Sequence, residues 1–165
     1  MSKIQTKKRH PIKKSHITRI ENELLKEIGS SADLFASKQI EFVSTSGTIQ
    51  IYLIDKKPLL LEREGMLFPT LVGALERPFP ERRVTIDMGA IPYVINGADI
   101  MRPGIVQVTD DVCAGRPVQI VDETHGKPLA LGIALYDADD LRACTTGKVI
   151  KTFHYIGDDL WNLEM

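Results

Sequence analysis

The sequence predicts an α+β unit followed by a small mixed β-barrel with short helices. Three observations lead there. An amphipathic run with a period of three to four residues comes first, and runs with a period of two follow it. After a proline-rich break, the remainder reads as short strands divided by glycine turns. At 165 residues the length suits one domain or two small ones sharing an interface.

In "SHITRIENELLKEIG", Ile17, Ile20, Leu24 and Ile28 lie three or four positions apart, which lines them along one helical face. Ser15 or Thr18 is the candidate cap, the latter with Glu21 at capping-box spacing, and Gly29 stops the helix. "IEFVSTSGTIQIYLID" then alternates, with Ile49, Ile51 and Leu53 on one face and Ser46-Gly47 turning a hairpin. "PLLLER" reads as a third strand. After Gly65 a short apolar helix is expected around "PTLVGALE". Pro78 and Pro80 disfavour both helix and ladder, so the boundary falls there, between a domain of residues 1–80 and one of residues 81–165. Beyond it, "VTIDM", "GIVQV", "RPVQIVDE", "PLALGIAL" and "KVIKTFHYI" read as strands, with turns at Gly115, His125-Gly126 and Gly147. One short helix, "PYVING", interrupts them, with Pro92 early and Gly97 where a C-terminal cap belongs.

The net charge of −1 hides an asymmetry. Residues 1–20 hold seven of the 21 Lys and Arg and none of the 22 Asp and Glu, leaving 14 basic against 22 acidic groups elsewhere. A basic arm (Lys7, Lys8, Arg9, Lys13, Lys14) on a mildly acidic body is either a phosphate-binding segment or a solvated tail. No apolar run reaches the roughly 18 residues that a membrane span needs, and no signal-type segment follows the basic start. A cytoplasmic setting fits two isolated cysteines, Cys113 and Cys144, read as small packed hydrophobes.

Chemistry is hard to find. The pairs Asp110-Asp111 and Asp158-Asp159 read as turn residues. In the cluster from Asp137 to Asp140, Asp137 is read as a helix cap, with Asp139 and Asp140 at its positive end. No His or Cys accompanies these carboxylates at ligand spacing, so neither a metal nor a cofactor is expected. No nucleophile elbow and no Walker-type phosphate loop is present. The stretch "VINGADIMRPGI" nevertheless concentrates two glycines and a proline in one loop. Chain reversal, close packing of the barrel, or close approach of another polymer's backbone would each use glycine there.

The segments "VTIDMGAIPYVINGADIMRPGIV" and "GKPLALGIALYDADDLRACTTGKVIKTFHYIGDDLW" together resemble a PUA domain, an RNA-binding module. The likeness rests on Asp87-x-Gly89-Ala90, Asn96-Gly97-Ala98, Met101-x-Pro103-Gly104, Gly132-x-Ala134 and the closing strand after Gly147. With "PIKKSHITRIENELLKEI" and "REGMLFPTLVGALERPFPERR", nearly the whole chain is similar to the malignant-T-cell-amplified-sequence family of translation factors and its archaeal homologues. The resemblance implies a pre-PUA domain before the PUA domain and no enzymatic activity. It implies as partners tRNA or rRNA, the small ribosomal subunit, and a separate protein carrying an initiation-factor-1-like domain. The RNA-contacting residues it implies are Gly89, Ala90, Tyr93, Gly97, Ala98, Met101, Arg102, Pro103 and Gly104, with Lys148, Lys151 and His154 from the last strand. In this reading Arg102, Lys148 and Lys151 neutralise phosphates, and Tyr93 or Met101 receives a base. The alternative function is an accessory that presents RNA to a separate modifying enzyme.

Overall fold

The basic segment that opens the chain is not a free arm. In the computed structural model, which describes residues 4–165, Thr6–Pro11 form strand β1, antiparallel to β2 (Ile40–Thr45). Lys7, Lys8 and Arg9 therefore belong to a sheet edge, while Lys13 and Lys14 stand at the start of helix α1 (Lys14–Ile28). The pairing is made by main chain, so it needs no apolar alternation, and all six side chains of β1 are exposed. Arg9 secures it by donating from Nε and Nη2 to the two Glu41 carboxylate oxygens, at 2.9 and 3.0 Å. Lys3, the first lysine of the basic run, lies outside the described residues.

The residues up to Phe79, with Asn162–Met165, make one compact unit, and Pro80–Trp161 make another. The first contains an antiparallel sheet in the order β1-β2-β3-β4-β5, where β3 is Ile49–Ile54, β4 Lys57–Arg63 and β5 Met66–Pro69. The expected one-sided alternation of β3 does not hold, because as the central strand it is buried on both faces, from Ile51 through Ile54. Helix α1 buries Ile20, Leu24 and Ile28 as its period requires, and Gly29 follows it in the left-handed region, at φ 57°. Its start differs from expectation. The N-cap is Lys13, without a side-chain cap, and Thr18 instead donates back to the Lys14 carbonyl at 3.2 Å. The short helix α2 is Leu71–Glu76, with Thr70 Oγ1 accepting from the Gly73 amide at 2.9 Å.

The second unit holds a mixed half-barrel sheet in the order β7-β11-β10-β9-β6-β8. Here β6 is Arg83–Ile86, β7 Ile100–Met101, β8 Ile105–Val108, β9 Pro117–Asp122, β10 Pro128–Ala134 and β11 Lys148–Tyr155. β6 pairs in parallel with β9 and antiparallel with β8. Val84, Ile86, Val118, Ile120, Val149 and Ile150 fill the core between them. Helix α3 is Ile91–Val94 and α4 is Ala138–Ala143. Asp137 occupies the N-cap position of α4 but does not cap it: its Oδ1 accepts from the Ala114 amide at 2.8 Å instead. Cys113 is exposed, so it is no packed hydrophobe, and Cys144 is half-buried against the core.

Candidate nucleic-acid interface

Everything between β6 and β8 builds one surface. Asp87 starts it by accepting the Ala90 amide on Oδ1 at 2.9 Å, which turns the chain into Met88–Ala90 and then α3. Its own amide donates to the Gly104 carbonyl at 2.9 Å, so the two ends of the segment are tied together. Past α3 the chain must reverse. Gly97 does this at φ 89°, and a Cβ there would lie 2.7 Å from the Tyr155 ring. Gly104 is similarly close, with a Cβ 3.3 Å from that of Ala90. Close packing within the protein thus accounts for the glycines, whatever else approaches them.

Between these supports lies a cleft of about 380 Å³. Ala90, Tyr93, Ala98, Met101, Pro103 and Gly104 line it, together with Val94, Ile100 and two carboxylates, Asp87 and Asp99. Gly89 is exposed just beside it. Tyr93 is 70 % and Met101 52 % exposed, large apolar side chains held at a cleft wall without cover.

Three of the expected contacts have other positions. His154 is 1 % exposed, and its Nδ1 meets Asp158 Oδ2 at 2.9 Å, so it cannot touch a ligand. Burial pushes the Asp158 carboxyl up, but the His154 hydrogen bond and charge, with the Trp161 and Tyr155 amides, outweigh this and hold it below the usual carboxylate range. Arg102 points its guanidinium at main-chain carbonyls: Nε donates to Leu141 at 2.9 Å, with longer contacts to Ile105 and Arg142 at 3.4 Å. It pins the loop to α4 and is not a phosphate-facing cation. Lys151 is exposed, yet strand alternation sends it to the face opposite Thr152, whose hydroxyl donates to the Ala98 carbonyl at 3.0 Å. Lys148 does reach the cleft rim, paired with Asp99 at 3.2 Å.

Asp99 is the residue that motif reading missed. It accepts the Thr152 amide on Oδ1 at 2.9 Å and meets Lys148 on Oδ2, which joins the loop to β11. The adjacency Gly97-Ala98-Asp99 held the clue, since a carboxylate right after a left-handed turn suits a local anchor. Among the described residues no cluster of His, Cys, Asp and Glu is arranged to hold a metal.

Comparison with known proteins agrees with this architecture. The Pre-PUA-like domain model matches residues 1–78, and the PUA domain model matches residues 82–156. Translation machinery-associated protein 20 of Saccharomyces cerevisiae is 32% identical over 135 residues, covering 77% of this chain and 74% of that protein. The chain belongs to that protein's family. The malignant T-cell-amplified sequence proteins are members too. An uncharacterized protein of Methanocaldococcus jannaschii is similar throughout, 32% identical across 98% of this chain and 99% of its own length. Among solved structures, a hypothetical protein of Pyrococcus horikoshii matches with a TM-score of 0.86 at 32% identity, over 94% of this chain and 98% of that one. The cleft of this family member lies wholly inside its PUA domain.

Proposed function

We propose that this chain is a non-catalytic RNA-binding protein of the translation machinery, cytoplasmic, engaging tRNA or small-subunit rRNA through the cleft of its PUA domain. The observation that carries this reading is the open apolar cleft flanked by exposed Tyr93 and Met101. A nucleobase offers a flat apolar face that such walls accept, whereas a phosphate would lose its hydration there without gaining a cation inside. Asp87 and Asp99 keep spare acceptor capacity beside their internal bonds, which suits amino groups and ribose hydroxyls more than phosphates. Lys148 stands at the rim, where a backbone phosphate can share it with Asp99. The half-exposed pair it would loosen contributes little.

The name of the Saccharomyces cerevisiae relative supports the assignment to translation. The partners that go with this reading are the small ribosomal subunit and a protein carrying an initiation-factor-1-like domain. The test is fluorescence anisotropy with a labelled single-stranded RNA, using wild type and Tyr93→Ala with Met101→Ala. Each lost base contact is expected to cost about 1–3 kcal/mol of binding with the fold unchanged. Unchanged affinity overturns the cleft as the base site. Co-sedimentation from lysate tests the setting: capture by small ribosomal subunits supports it, and capture by an RNA-modifying enzyme instead moves the protein to an accessory role in modification.

A further inference from the structure

The N-terminal unit carries a second surface with different chemistry. Pro80–Trp161 hold 8 Lys and Arg against 12 Asp and Glu, leaving 13 against 10 for the rest of the chain. Several cations of that unit are answered locally, such as Arg9 by Glu41, Lys26 by Glu23 and Lys57 by Glu76. Six lysines are not. Lys7, Lys8, Lys13, Lys14, Lys38 and Lys56 make no ion pair with a described residue.

These six gather along β1 and at its far end. Lys7 and Lys8 stand on the strand, and Lys13 and Lys14 follow it directly. Lys38 and Lys56 line a cleft of about 360 Å³ together with Pro11 at the end of the strand, Ile12 just beyond it, and Gln39, Ile40 and Glu41. Glu41 also feels the charge of Lys56, but its carboxylate is committed to Arg9 through two hydrogen bonds, and the first turn of α1 contains no acid. Like charges gathered this way repel one another, and a polyanion relieves that repulsion by releasing its own counterions.

The occupant of this edge is not another strand. A register shift between Thr6 and Arg9, two lysines and Pro11 are the devices by which sheet edges refuse a further ladder. What remains is a track about 20 Å long at ordinary strand rise, able to follow a flexible backbone with regularly spaced charges. We propose that the β1 edge and the Lys38–Lys56 cleft bind the sugar-phosphate backbone of RNA, as a second contact that acts without base recognition. This rests on the RNA-binding reading of the PUA cleft but uses none of its residues.

The experiment measures binding of a labelled 20-nucleotide single-stranded RNA of mixed sequence as a function of salt, with wild type and Lys38→Gln with Lys56→Gln. Two lost phosphate contacts make the slope of log affinity against log salt shallower by about 1.4 and weaken binding about tenfold at physiological salt. Both lysines are exposed, so the fold tolerates the change. An unchanged slope overturns the second contact and leaves the cleft reading standing, since Tyr93→Ala tests that separately. Failure of the wild type to bind the oligomer overturns both. A poly-glutamate peptide bound as tightly as the RNA, and lost with the same two lysines, overturns the RNA assignment in favour of an acidic protein partner.

Discussion

Replacing Arg102 with methionine separates two roles that sequence alone confuses. The side chain keeps most of its apolar stem but loses every donor. One bond is of good length, Nε to the Leu141 carbonyl at 2.9 Å, while the contacts to Ile105 and Arg142 at 3.4 Å are near the limit and contribute little. A hydrogen bond to a charged donor is worth about 1.5–3 kcal/mol, and the half-buried position takes the lower end, so the loss is about 1.5 kcal/mol. With a denaturant slope of about 1.5–2 kcal/mol/M, the urea midpoint falls by about 0.8–1 M. The assay is urea unfolding followed by far-UV circular dichroism, run beside RNA anisotropy across a salt series. The expected result is lower stability with an unchanged salt slope. A stability unchanged within error, together with a slope shallower by about 0.7–0.9, would refute the structural role and restore Arg102 as a phosphate contact.

Gly97→Ala places a Cβ 2.7 Å from the Tyr155 ring at a φ of 89°, and is expected to destabilise by at least 1–2 kcal/mol from the backbone alone; thermal melting checks it, and a tolerated alanine would mean that the turn can relax. For Asp158 the folded pKa lies below its ordinary value, so the unfolded chain binds the proton more readily and stability rises with pH through that window. Its contribution is fully present above about pH 4 and disappears as pH falls through the depressed value. Melting temperatures measured from pH 2 to 6 should therefore show Asp158→Asn differing most from wild type at the upper end and converging with it in acid. A difference independent of pH would place the stabilisation elsewhere.

What the sequence revealed follows from how far apart the interacting groups stand. Helix α1 and the strands β2 to β4 were legible because their apolar runs are local, although only in α1 does burial follow the period, β3 and β4 being buried on both faces. β1 was hidden because an edge strand exposed along its whole length carries no apolar signature, so its lysines looked like a tail. β5 disappeared into the approach to α2, being four residues long and ending in a proline. β7, with two residues, is too short to show any period. Within the cleft, the small and apolar residues were located by motif, and the structure brings six of them together. The directions of Arg102 and Lys151 were not available, since they depend on the Leu141 carbonyl and on which face of β11 is presented. His154 is the instructive miss. Its partner Asp158 is only four residues away, yet the pairing depends on the chain turning at Gly157, whose φ is 92°.

The parallel pairing of β6 with β9 has a consequence for biogenesis. β6 lies between β8 and β9 in the sheet, although thirty residues separate it from β9 in sequence. β7, which helps to frame the cleft, stands at the sheet edge and pairs there with β11. Such remote pairings are slow to find, because loop closure comes before the contacts that reward it. The cleft therefore takes its shape only once β11 has paired, and a copy in which that pairing is delayed lacks the wall that Ile100 and Met101 supply.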